Sequence, residues 1–212
     1  MSYSSLFLID TNLKGHELYE FQNSWLFSPI IWNILLNEYQ PERRQSFPLK
    51  PEEKRIFLSE TMFDKTLHGR LNDMLNNSDN QSDRIMWELS NQQGFFSKDK
   101  DFINKSILKF LSSPGYCKAE CVQHIFNRFR EVAQIIKNID EEKYPYFVFK
   151  NSSVDDGVQN IFSHYNEEID DYEDLALSDH EEDILEFVII ENQKIKEFKT
   201  NTKLFSIKPT AV

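Results

Sequence analysis

The chain has 212 residues, with 35 Asp or Glu against 24 Lys or Arg and a formal net charge of −11. An apolar content of 40%, including 18 Phe, 8 Tyr and 3 Trp, supports a packed core and excludes disorder along the whole length. The acidity excludes a phosphate-tracking nucleic-acid binder and disfavours anionic membrane surfaces, since both need clustered Lys and Arg.

In chain order, the first predicted element is a short buried strand over residues 4–9 (SSLFLI), ended by Asp10 and Asn12. Ser28-Pro29 predicts a helix start, with Ser as cap and Pro in the first turn. That helix runs to about Tyr39, and Ile30, Ile31, Trp32, Ile34 and Leu35 give it a wide apolar face. Pro41, Pro48 and Pro51 punctuate a loop. A second helix is predicted over 52–76, with Phe63, Leu67, Leu71 and Met74 or Leu75 at helical spacing.

Residues 76–82 (NNSDNQS) read as a polar loop. Ser82 is the expected cap of a short helix carrying Ile85, Met86 and Leu89, which stops before Gly94. Ser97 is the expected cap of the next, with Phe102, Ile103, Ile107, Phe110 and Leu111 inward. A helix over 118–138 follows, with Val122, Ile125, Phe129, Val132 and Ile136 on one stripe.

From Tyr144 the pattern changes. Tyr146-Phe147-Val148-Phe149 has strand composition. Asp155-Asp156 suit a helix start, and Val158, Ile161, Phe162 and Tyr165 continue at helical spacing. The run 167–174 (EEIDDYED) is too charged to be buried. Residues 184–190 (ILEFVII) predict a core strand, and 194–207 one or two more in antiparallel pairing. The expectation is an α+β fold, mainly helical through 1–139, with a small, largely antiparallel sheet in 140–212. The strand at 4–9 joins that sheet and ties the whole chain, 1–212, into a single domain. No apolar run approaches the ~20 residues that span a bilayer. The N-terminus lacks the positive region of a signal peptide, so the expected location is cytoplasmic.

The charge is not spread evenly. Residues 1–139 hold 17 acids and 17 bases, while 140–212 hold 18 acids and 7 bases. Between Lys150 and Lys194 there are fourteen acids and no Lys or Arg. A field of one sign in one segment steers a positively charged partner.

Sites of known chemistry are scarce. The five glycines are widely separated, which removes the phosphate loop and the dinucleotide turn. No G-x-S-x-G elbow occurs, and His180-Glu181-Glu182-Asp183-Ile184 lacks the second His of a zinc-protease helix. His164, His180 and neighbouring carboxylates (segment 164–183) form the one candidate divalent-metal set. Cys117, Cys121 and His124 share a helical face but lack a fourth ligand, so two free thiols are expected. No cofactor and no catalytic residue is implied.

Aromatic residues interleave with the acidic segment, and Tyr among carboxylates is the composition of a protein interface. The predicted contact surface is Tyr165, Glu167, Glu168, Asp170, Asp171, Tyr172, Glu173, Asp174, Asp179, Glu181, Glu182 and Asp183. Its opposite is a solvated loop.

The chain resembles the immunity proteins of bacterial polymorphic-toxin systems, including those of contact-dependent growth inhibition. The similarity lies in its acidic, aromatic-rich character, in the absence of catalytic motifs, and in Asp83-Arg84-Ile85-Met86-Trp87-Glu88-Leu89 followed by Phe95-Phe96-Ser97-Lys98-Asp99-Lys100. It carries no residue roles with it. It implies a non-catalytic inhibitor of a basic toxin domain of the nuclease type. The alternatives are a metal-dependent enzyme using 164–183, and an acidic adaptor or regulatory subunit.

Overall fold

The computed structural model describes residues 3–22, 27–39, 65–113, 123–152 and 159–205. These form two compact units: 1–25, 92–99 and 139–212 make the first, and 26–91 and 100–138 the second.

The first unit is built on a six-stranded sheet. Its strands are β1 (Tyr3–Ile9), β2 (Gly15–Gln22), β3 (Gly94–Phe96), β4 (Tyr146–Ser152), β7 (Glu186–Glu191) and β8 (Lys194–Thr200), in the order β2-β1-β4-β3-β7-β8. All neighbours are antiparallel except β3 and β7, which run parallel. The sheet is therefore larger than expected and mixed, and half of its strands come from before residue 139. Two strands escaped the sequence reading for physical reasons. β2 is an edge strand with Leu18 and Tyr19 48% and 40% exposed, so no buried face marks it. β3 spans only three residues.

The inner strands are apolar on both sides because both of their faces are buried. Leu6 and Phe149 oppose each other on one face, Phe7 and Val148 on the other. On the second face Ile9, Val148, Phe162, Leu177, Leu185 and Phe187 close a core. Two glycines permit close approach there. A Cβ at Gly15 would lie 2.3 Å from the Phe162 ring, and one at Gly94 would lie 2.6 Å from that of Phe187.

The second unit contains five helices among the described residues: α1 (Phe27–Tyr39), α2 (Lys65–Asn76), α3 (Gln81–Ser90), α4 (Lys100–Leu111) and α5 (Gln123–Lys137). The expected inward residues Ile31, Ile34, Leu35, Leu71, Leu75, Ile85, Met86, Leu89, Ile103, Ile107, Phe110, Leu111, Phe129, Val132 and Ile136 are buried, whereas Trp32 and Phe102 are only half-buried and Met74 is exposed. Three caps differ from expectation. α1 starts before Ser28, whose buried hydroxyl donates to Ser90 O at 2.8 Å. α3 starts at Gln81, with Asn80 before it, and Ser82 is buried inside the first turn. Ser97 opens a short 3₁₀ turn, Ser97–Asp99, ahead of α4, and its buried hydroxyl has no hydrogen-bond partner.

Trp87 in α3 is 1% exposed and donates its indole N–H to Asn72 Oδ1 at 2.9 Å. The His68 ring packs against it at 4.5 Å, and Trp32 completes the group. Residues 52–64, 118–122 and 155–158 of the predicted helices lie outside the described residues.

Candidate functional site

The acidic segment folds as a β-hairpin. After the short helix α6 (Gln159–Phe162), strand β5 (Ser163–Asn166) turns through 167–170 into β6 (Asp171–Asp174). The helical spacing that linked Ile161, Phe162 and Tyr165 thus ends at Phe162, and Tyr165 sits in a strand. Short-range geometry specifies the turn. Asn166 Oδ1 accepts the Glu168 N–H at 2.9 Å, Asp170 takes a left-handed φ of 53°, and its carboxylate accepts the Tyr165 hydroxyl. That bond to Asp170 holds the Tyr165 hydroxyl above the usual phenol range.

Tyr165 and Tyr172 are directly opposite in the register, with rings edge to face at 5.4 Å. Even so, they are 47% and 51% exposed. Glu167, Glu168, Asp170, Asp171, Glu173 and Asp174 are exposed around them, so six carboxylates share the hairpin with no Lys or Arg. His164, opposite Glu173, lies 3.4 Å from its carboxylate. Ile169, in the turn, is 57% exposed. It is absent from the predicted surface, although an isolated apolar residue between Glu168 and Asp170 marks it.

The hairpin is tied down at its base. Leu175 N–H donates to Phe162 O at 2.7 Å, and Leu177 N–H to Leu13 O at 2.9 Å. Phe162 is buried and stacks on Phe7 with centroids 5.1 Å apart. Both faces of the two strands beyond that base are largely exposed.

The remaining predicted residues lie on a separate stretch with other duties. Asp179, in the 3₁₀ turn Leu177–Asp179, accepts the Ala176 N–H at 2.8 Å. Asp183 accepts the hydroxyls of Thr202 and Thr200, which hold its carboxyl below the usual range. Glu181 and Glu182 are exposed, and the Glu182 carbonyl is bonded to Asn201. The structure therefore divides the twelve predicted residues into a hairpin group, 165–174, and a braced group, 179–183.

Neither histidine of the candidate metal set is arranged as a ligand. His164 faces Glu173, and the His180 Nε2–H donates to Ile161 O at 2.9 Å. Among the described residues no group of three or more His, Cys, Asp or Glu is placed to hold a metal ion. His16 and His68 lie against Asp10 at 2.9 Å and Asn91 at 3.1 Å. Cys117, Cys121 and the His124 side chain fall outside the described residues. Among the described residues no helix is long and apolar enough to cross a membrane.

No protein-family model, curated protein or solved structure matches the chain.

Proposed function

We propose that this chain is a non-catalytic binding protein that neutralises a basic protein partner, in the manner of an immunity protein blocking a nuclease-type toxin domain. The observation that carries the reading is the Tyr165–Tyr172 pair, half exposed and directly opposed within a strand pair whose charged carboxylates no Lys or Arg offsets. Tyr is enriched at the energetic centres of interfaces, and surrounding charges set encounter rate and register. A nuclease presents positive charge to hold a phosphate backbone, so an acidic, aromatic surface complements that face.

The test is binding to the protein encoded immediately upstream, followed by association and dissociation rates. Replacing Glu167, Glu168, Asp171 and Glu173 with Lys changes the local charge by about eight units at exposed positions. Association at low salt should slow by roughly 10- to 1,000-fold and lose its salt dependence. Tyr172→Ala should act on dissociation instead. An unchanged association rate for the charge-reversed variant at low salt refutes the reading.

A further inference from the structure

We infer that Ile169 is the insertion residue of this hairpin, entering an apolar pocket on the partner whose rim carries Lys or Arg side chains. The inference rests on the reading above and gives the partner surface a shape. Ile169 has the highest exposure, 57%, of the large exposed hydrophobic residues among those described. It occupies a turn, where polar residues are ordinarily favoured. Glu167 and Glu168 precede it and Asp170 and Asp171 follow it, so any surface that accepts Ile169 also meets those four carboxylates.

The turn is also held in shape before binding. The Asn166 side chain fixes Glu168, and the Tyr165 hydroxyl fixes Asp170, on either side of Ile169. A pre-ordered apolar tip loses little conformational entropy on docking. An apolar centre within a charged rim is the arrangement that gives interface hot spots, with the centre governing dissociation and the rim governing encounter. The acidic rim selects the occupant. A second copy of this hairpin would bring like charges together, whereas a basic cleft does not.

The experiment compares Ile169→Glu and Ile169→Ala with wild type against the protein encoded immediately upstream, by stopped-flow association and dissociation. Circular dichroism and thermal unfolding serve as controls for folding. Ile169→Glu adds one negative charge to the steering field while removing the apolar tip, so the two contributions separate. Insertion predicts an association rate equal to or above wild type, with dissociation at least ~10-fold faster. Ile169→Ala should also dissociate faster, by roughly 5- to 30-fold. Unchanged or tighter binding by Ile169→Glu overturns the insertion and leaves the acidic-surface reading standing. Absence of any complex with wild type overturns both.

Discussion

Asn201 and Leu185 are joined twice: the Asn201 N–H donates to Leu185 O at 2.8 Å, and Asn201 Oδ1 accepts the Leu185 N–H at 3.2 Å. The same oxygen accepts the Ile184 N–H at 2.9 Å, and Nδ2 donates to Glu182 O at 3.0 Å. One fully buried amide thus satisfies backbone groups leading into β7. Asn201→Ala leaves them without partners and should destabilise the fold by about 1–3 kcal/mol. Urea unfolding reads the loss. Because Asn201 braces 182–185 and not the hairpin, partner association should be unchanged while the fold survives.

Gly15 and Phe162 give a second expectation. Gly15→Ala drives a methyl into the Phe162 ring, which stacks on Phe7 and lies at the root of the hairpin. Overpacking of this kind costs typically about 1–3 kcal/mol. Hydrogen exchange should accelerate at the Leu175 amide, which bonds to Phe162 O. An exchange rate identical to wild type would show that the ring position does not govern the hairpin base.

The β7–β8 connection has two residues, Asn192 and Gln193, with φ of 51° and 59°. Both central positions of such a turn require left-handed backbone, and Gly suits the second. Gln193→Gly relieves left-handed strain of about 1–2 kcal/mol against about 0.4–1 kcal/mol of added freedom in the unfolded chain. The net gain should be up to about 1 kcal/mol, visible as a higher urea midpoint with an unchanged slope.

Lys150, opposite Ser5 in the sheet, is mostly buried, and desolvation lowers its amine to about 8. A lysine whose folded value lies below its unfolded one destabilises the fold below the folded value. The penalty is relieved as pH rises from about 8 toward the unfolded value of 10.5. Lys150→Met should thus stabilise the protein at pH 7 by about 1–3 kcal/mol. The advantage should shrink between pH 8 and 10. A difference independent of pH in that window contradicts the burial argument.

Tyr39 acts in the opposite sense and at higher pH. Burial, with Asp83 accepting its hydroxyl at 2.9 Å, raises it to about 12. Its contribution is fully present below pH 10 and disappears as pH rises through 12. Tyr39→Phe should cost about 1–2 kcal/mol at pH 7 and progressively less above pH 10.

The helices were legible because their buried stripes follow helical spacing: Phe129, Val132 and Ile136 in α5, and Ile103, Ile107 and Phe110 in α4, are buried. The strands were legible where both faces are buried, as in β1, β4 and β7. β2 was hidden by its exposure and β3 by its brevity. The hairpin was hidden by its turn, since Glu-Glu-Ile-Asp contains neither Gly nor Asn-Gly. The acidity of the candidate site was plain from composition. Its division into hairpin and braced segment was not, because Thr200, Asn201 and Thr202, which hold 182–185, lie at and just beyond the end of β8.

The position of β1 has a consequence for synthesis. Leu6 pairs with Phe149, so the strand that completes the inner edge of β1 is made long after it. At ribosomal rates of about 5–20 residues per second, β1 and β2 wait roughly 7–30 s for that partner. During this interval an apolar strand with one open edge is a template for other nascent chains. Closing so long a loop is also slow. A holding chaperone acting on β1 and β2 before β4 is made should therefore raise the folded yield of this protein more than its stability.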